Sequence, residues 1–177
     1  AILNYQKVAS LTTNDINVYH KLGSLLIRLG KPKEAIENFK KIISIKPDNF
    51  AAYNDIGVSL QALGQLDESL EFFKKATEIN PEYVESLNNL GNIFKELGRF
   101  DQAIEHYKKA IDLKPDYAKS LNNFGRLLML KSNFKKAFEL MEWRLKLEEL
   151  NFTPLESSNP RWEGRRDQKV FLIKEQG

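Results

Sequence analysis

The side chains capable of chemistry are few and far apart. His20 and His106 are the only histidines of the 177-residue chain, and no cysteine accompanies them. A zinc site draws three or four ligands onto one point. Neither histidine has a carboxylate or a second imidazole at ligand spacing, so no metal is expected. The lack of cysteine also removes thiolate catalysis and any disulfide framework, which suits a reducing, cytoplasmic setting. Acid pairs such as Glu68 and Glu71, or Glu148 and Glu149, read as solvated surface rather than as a general acid and base. The expectation is a chain with no catalytic residue and no cofactor.

The amides are different. Asn54, Asn88 and Asn122 recur in register, with His20 in the same series one step earlier, and Lys21, Asp55, Asn89 and Asn123 follow one position later. Asparagine competes with the helix backbone for hydrogen bonds, so its recurrence in helical segments asks for a reason. An amide both donates and accepts. Two roles fit equally: hydrogen bonds to the backbone of a bound peptide, or structural bonds between successive copies of one unit. The pairs Lys40-Lys41, Lys74-Lys75 and Lys108-Lys109 recur in the same way and read as a solvated outer face, with weak contact to an anionic partner as the alternative.

These series share a step of 34 residues, which also links Gly23, Gly57, Gly91 and Gly125. The same step joins Gly30, Gly64 and Gly98, then Pro47, Pro81 and Pro115, and then the small residues Ala35, Ser69, Ala103 and Ala137. Within one step, Leu87, Leu90, Phe94 and Leu97 form a stripe at helical spacing, and Phe100, Ala103, Ile104, Tyr107, Ala110 and Ile111 form a second. Gly98 and Pro115 end the two helices. The closest approach of their axes is expected at Gly91 and Ala103. This pattern, over about Ile16 to Met141, resembles the tetratricopeptide repeat. The resemblance implies an all-α, right-handed superhelix of antiparallel helix pairs that binds protein or peptide segments on its concave face.

In order, residues 1–15 read as the second helix of a truncated repeat and a connector, in which Thr13, Asn14 and Asp15 are candidate caps. Repeats follow at 16–49, 50–83 and 84–117, with helices expected near 17–29, 32–45, 51–63 and 66–79. A fourth unit, 118–150, departs from the pattern at Ser132, Met141, Arg144 and Glu149 and reads as a longer capping helix. Residues 151–177 change character. Trp162 sits between Pro160 and Gly164, and Val170 to Lys174 reads as a short buried β-strand opening a truncated α/β domain. Together with Glu142-Trp143-Arg144, this tail resembles the junction in bacterial proteins whose repeat array precedes a glycosyltransferase-like domain. That resemblance implies a substrate-recruiting array as an alternative to a plain binding module.

On the inner face, the expected peptide-binding residues are His20, Asn54, Asn88, Asn89, Asn92, Lys95, Asn122, Asn123 and Arg126. The asparagine series is similar to that of the repeat domain of O-linked N-acetylglucosamine transferases, where asparagines at the position of Asn89 and Asn123 hold peptide; Asp55 and Lys21 depart from it. Tetratricopeptide domains that clamp a terminal carboxylate carry basic residues where this chain has His20, Asn54, Asn88 and Asn122, so that clamp is not expected. Lys95, Lys119 and Arg126 leave room for a mildly acidic peptide.

Composition narrows the partners. Net charge is only +3, from 27 basic and 24 acidic residues, without the basic stripe of a nucleic-acid binder. No apolar run reaches the roughly 18 residues of a membrane span. Self-association through the ends of the array is a further expectation, because a solenoid end offers an apolar face to another copy.

Overall fold

The computed structural model describes residues 15–133 and 136–137. The expectations for the first fourteen residues, for Met141, Arg144, Glu149 and Trp162, and for a strand at Val170 to Lys174 lie outside them. The described residues form seven α-helices: α1 (Ile16–Arg28), α2 (Pro32–Ile45), α3 (Phe50–Ala62), α4 (Leu66–Ile79), α5 (Val84–Glu96), α6 (Phe100–Leu113) and α7 (Ala118–Leu130). The chain divides into two compact units, Ala1–Pro115 and Asp116–Gly177. The first holds the helix pairs α1/α2, α3/α4 and α5/α6, and the second holds α7.

Each turn inside a pair follows from one glycine. Gly30, Gly64 and Gly98 have φ of 71°, 75° and 72°, the left-handed conformation that a Cβ disfavours. With the chain turned this way, the orphan carbonyls at the helix end find donors. Lys31 N–H reaches Leu26 O at 2.9 Å, Gln65 N–H reaches Leu60 O at 3.0 Å and Arg99 N–H reaches Phe94 O at 2.8 Å, the crossed pattern of a Schellman end. Ser132, where the glycine series breaks, still adopts φ 59°, and Asn133 N–H still reaches Leu128 O at 2.9 Å. The second helices stop before Pro47, Pro81 and Pro115. The next first helix is capped by the Asp15 carboxylate, which accepts from Asn17 N–H, in α1, and by the Asn49 amide oxygen, which accepts from Ala52 N–H, in α3.

The core is a stack of aromatic rings laid on glycines. A Cβ on Gly23 would lie 2.5 Å from the Phe39 ring, one on Gly57 2.6 Å from Phe73, and one on Gly91 2.4 Å from Tyr107. All three rings are fully buried. The space beside Gly91 is filled by the ring of Tyr107. Ala35, Ser69 and Ala103, also fully buried, keep the facing turn small. Ser69 adds a bond that alanine cannot, its hydroxyl donating to Gly57 O at 2.8 Å. The apolar stripes differ from expectation at their margins: Phe100, at the first turn of α6, is exposed, while Ile93 on α5 is fully buried.

Within the first unit, each helix packs on the next in sequence, and the first helices also touch one another, α1 on α3 and α3 on α5. The second helices make no comparable contact among the described residues. The stack is thus tighter on the side of α1, α3 and α5, which makes that side the inner one. The recurring lysines lie on the outer helices and pair locally: Lys40 with Glu37, Lys74 with Glu71, Lys75 with Glu78 and Lys109 with Glu105. Lys41 instead lies over the Tyr19 ring, 5.2 Å from its centroid.

Candidate functional site

The inner side of the first unit is built from one stripe each of α1, α3 and α5. The apolar stripe of each helix faces its partner, so the next positions round must carry polar groups toward neighbouring repeats or toward solvent. His20 on α1 is exposed; Asp55 on α3 and Asn89, Asn92 and Lys95 on α5 are half-buried; Asn54 and Asn88 are buried, at 5% and 4% exposure. Asn122 and Asn123, half-buried, and Arg126, exposed, stand on α7 of the second unit.

The polar groups of the first unit join in rungs. His20 Nε2 lies 3.1 Å from Asp55 Oδ2. Asn89 Nδ2 donates to Asn54 Oδ1 at 2.9 Å, and Gln61 Nε2 donates to Glu96 Oε1 at 2.8 Å. Each rung connects the first helices of adjacent repeats. The contacts between neighbours on one helix, Asn54 to Asp55 and Asn88 to Asn89, are both 3.5 Å, at the limit for a hydrogen bond. The strong links are those between repeats. A buried amide left without a partner would cost about 1–3 kcal/mol, which explains why an amide as enclosed as that of Asn54 is tied across the junction.

The first rung is ionisable. Asp55 Oδ2 is closed off from water, and the His20 imidazole is the polar group set beside it. The close polar contact with Asp55 holds the His20 pKa above the ordinary histidine value; partial burial of the ring works against this, and the charge of the carboxylate adds to the rise. The second rung, made of two amides, carries no charge.

Asn92 is held from beneath. The Tyr107 hydroxyl donates to Asn92 Oδ1 at 2.7 Å, a link from the core to the inner surface that reading the helix stripes separately does not suggest. A signal for it exists in the sequence: Tyr107 replaces the phenylalanine of Phe39 and Phe73, and Asn92 stands where the first two repeats have Ser24 and Val58. Both departures fall in one repeat. His106 plays no part in the inner surface. Its ring packs on Phe94 with centroids 5.1 Å apart, and Nδ1 lies 2.8 Å from Gln102 O. Among the described residues no group of three His, Asp or Glu side chains is placed to hold a metal ion, and no helix is long and apolar enough to cross a membrane.

Antiparallel helix pairs at a 34-residue step, with glycine turns and aromatic rings seated on glycines, define a class of protein. Family models described as Tetratricopeptide repeat match residues 16–49 and 48–116. The chain belongs to the tetratricopeptide repeat family and is, in general terms, a protein-interaction module. Among solved structures it is similar to MamA, with 26% identity, a TM-score of 0.69, and coverage of 84% of this chain and 86% of that one. The MamA fragment from Desulfovibrio magneticus shares the fold at 23% identity and TM-score 0.69, covering 86% of each chain. A thermophilic TPR protein from Thermus thermophilus shares it at 20% identity and TM-score 0.75, covering 85% of this chain and 82% of that one. No curated protein sequence matches the chain.

Proposed function

We propose that the inner side of the repeats binds an extended peptide segment of a protein partner through the polar side chains that remain accessible above the rungs. The carrying observation is a division of labour among the amides. Asn54 is buried and bonded across its junction and Asn88 is buried beside Asn89, whereas His20 is exposed and Asn92 and Lys95 are only half-buried. Asn89 lies at the boundary, its Nδ2 engaged by Asn54 and its side chain half-buried. Neighbouring helices pack about 8–10 Å apart, and an extended peptide advances about 3.3 Å per residue, so each repeat faces roughly three residues of the ligand. Asn122, Asn123 and Arg126 are assigned the same role within the second unit.

Titration of the 15N-labelled chain with a pool of blocked hexapeptides tests this. Shifts should concentrate in the Asn89 and Asn92 side-chain amides and in the backbone of α3 and α5. Shifts confined to α2, α4 and α6, or none at millimolar peptide, would overturn the assignment.

A further inference from the structure

We propose that the outer groove between α2 and α4 is a second docking site, which takes an amphipathic helix of a partner protein whose apolar stripe is flanked by a carboxylate toward α2 and a basic group toward α4. The site is separate from the inner side and does not rest on the peptide-binding reading above.

The groove follows from the way the stack opens outward. α2 and α4 each pack on α3 and make no comparable contact with one another. The space left between them has a volume of about 530 Å³ and is floored by Ile56, Leu60 and Leu63. Ile36 closes it from α2 and Phe72 from α4, and of these apolar residues Leu63 and Phe72 are only half-buried. Along α2 the lining runs from Lys33 to Lys40, about 10 Å at the helical rise, or two turns. An apolar floor of that length between two helical ridges is the footprint of a docked helix, whose anchors recur at steps of three and four.

The rim states what the occupant must carry. Glu34 pairs with Lys31 at 2.9 Å and Glu37 with Lys40 at 3.2 Å, which leaves Lys33 without a carboxylate partner among the described residues. Glu68 lines the facing wall and accepts only from the neutral amide of Gln65, at 3.0 Å. Because position 67 is the counterpart of position 33 one repeat on, Lys33 and Glu68 stand at nearly one level. Opposite charges thus face each other across an apolar floor with no ion pair between them, and a helix with an acid on one flank and a base on the other satisfies both. The next outer junction lacks this pattern. Asp67 and Gln102 stand where the first has Lys33 and Glu68, and His106 replaces Phe72, its ring lying on Phe94, 5.1 Å between centroids. The charge of the α2 wall is reversed there and an imidazole covers the floor, so curvature of the stack alone does not produce the site.

The test uses the 177-residue chain with labelled methyl groups and a blocked alanine-based helical peptide that carries two leucines one turn apart, a glutamate on one flank and a lysine on the other. Binding should shift the methyl signals of Ile36, Leu60 and Leu63 and leave the side-chain amides of Asn89 and Asn92 unmoved. Glutamine in place of the peptide glutamate should weaken binding roughly twofold to fivefold, the range of an exposed ion pair, and should cost nothing further in Lys33→Gln. Glutamine in place of the peptide lysine should behave in the same way toward Glu68→Gln. Phe72→His, which installs the residue already present at position 106, should keep the thermal transition and weaken every peptide alike. Shifts at Asn89 and Asn92 instead, no shift at millimolar peptide, or losses that simply add in both charge pairs would overturn the site. Groove methyl signals that move when the chain alone is diluted would give the groove to a second copy and overturn the partner helix. The inner-side reading stands or falls separately, on the hexapeptide pool.

Discussion

At the scale of single residues, two kinds of glycine are held for opposite reasons, and substitutions separate them. At Gly57 the backbone is helical and the obstacle is the Phe73 ring, 2.6 Å from where a Cβ would stand. At Gly64 there is open space around the Cβ position and the obstacle is φ of 75°. Gly57→Ala is expected to lose about 1–3 kcal/mol by overpacking, and Gly57→Ala combined with Phe73→Leu should recover part of it. Gly64→Ala should lose about 1 kcal/mol, with no recovery from Phe73→Leu, because the strain is in the backbone. Urea unfolding of the four variants decides this; equal recovery at both sites would mean that the ring is not the obstacle. Ser132 offers the converse case. Its φ of 59° makes Ser132→Gly stabilising by roughly 1 kcal/mol, and a lower melting temperature in that variant would contradict the strain.

Between elements, the two junctions of the first unit should differ in their response to pH. The His20 pKa is raised in the folded chain, so its pairing with Asp55 contributes full stability below the unfolded histidine pKa. That contribution is lost as pH rises through the higher folded value. Because His20 is about half exposed, at 48% of its side chain, the contribution should be no more than about 1 kcal/mol. Protection factors of the α1 amides, taken relative to the base-catalysed intrinsic exchange rate, should fall between mildly acidic and alkaline pH in the parent and not in His20→Gln, while those of the Asn54–Asn89 junction stay constant. An unchanged profile for α1 would remove the rung from the stability account. The helices themselves were legible in advance. Leucines at steps of three and four, glycines that tolerate positive φ and prolines that cannot continue a helix placed the observed ends of α1 to α4 within one residue. The rungs were less legible, because the asparagine series compares like positions at 34 whereas the bonded pairs stand at 35. His20 with Asp55, Asn54 with Asn89 and Gln61 with Glu96 share that separation, since a side chain leaving one first helix meets the next helix one position further on.

For the molecule as a whole, stability in a stacked array is a sum of repeats and their nearest-neighbour contacts. In-frame removal of residues 50–83 would take away α3 and α4 together with both junctions of the first unit, leaving α2 to meet α5 directly. The shortened chain should unfold at lower urea and with a smaller m-value, in keeping with the surface no longer buried. An unchanged midpoint would mean that neighbouring repeats lend each other no stability. Such an outcome would be hard to reconcile with buried Ser86, whose hydroxyl reaches back from α5 to Phe73 O at 3.1 Å.

The rungs also bear on how such an array can lengthen by internal duplication. A second copy of the third repeat would set the amides of Asn88 and Asn89 opposite one another, two groups able to donate and accept in turn. A second copy of the first would bring Lys21 up to His20, two bases in the place where the existing junction joins a base to an acid. Growth is therefore easier from one repeat than from the other, and the order of the repeats is written into the pairs that join them.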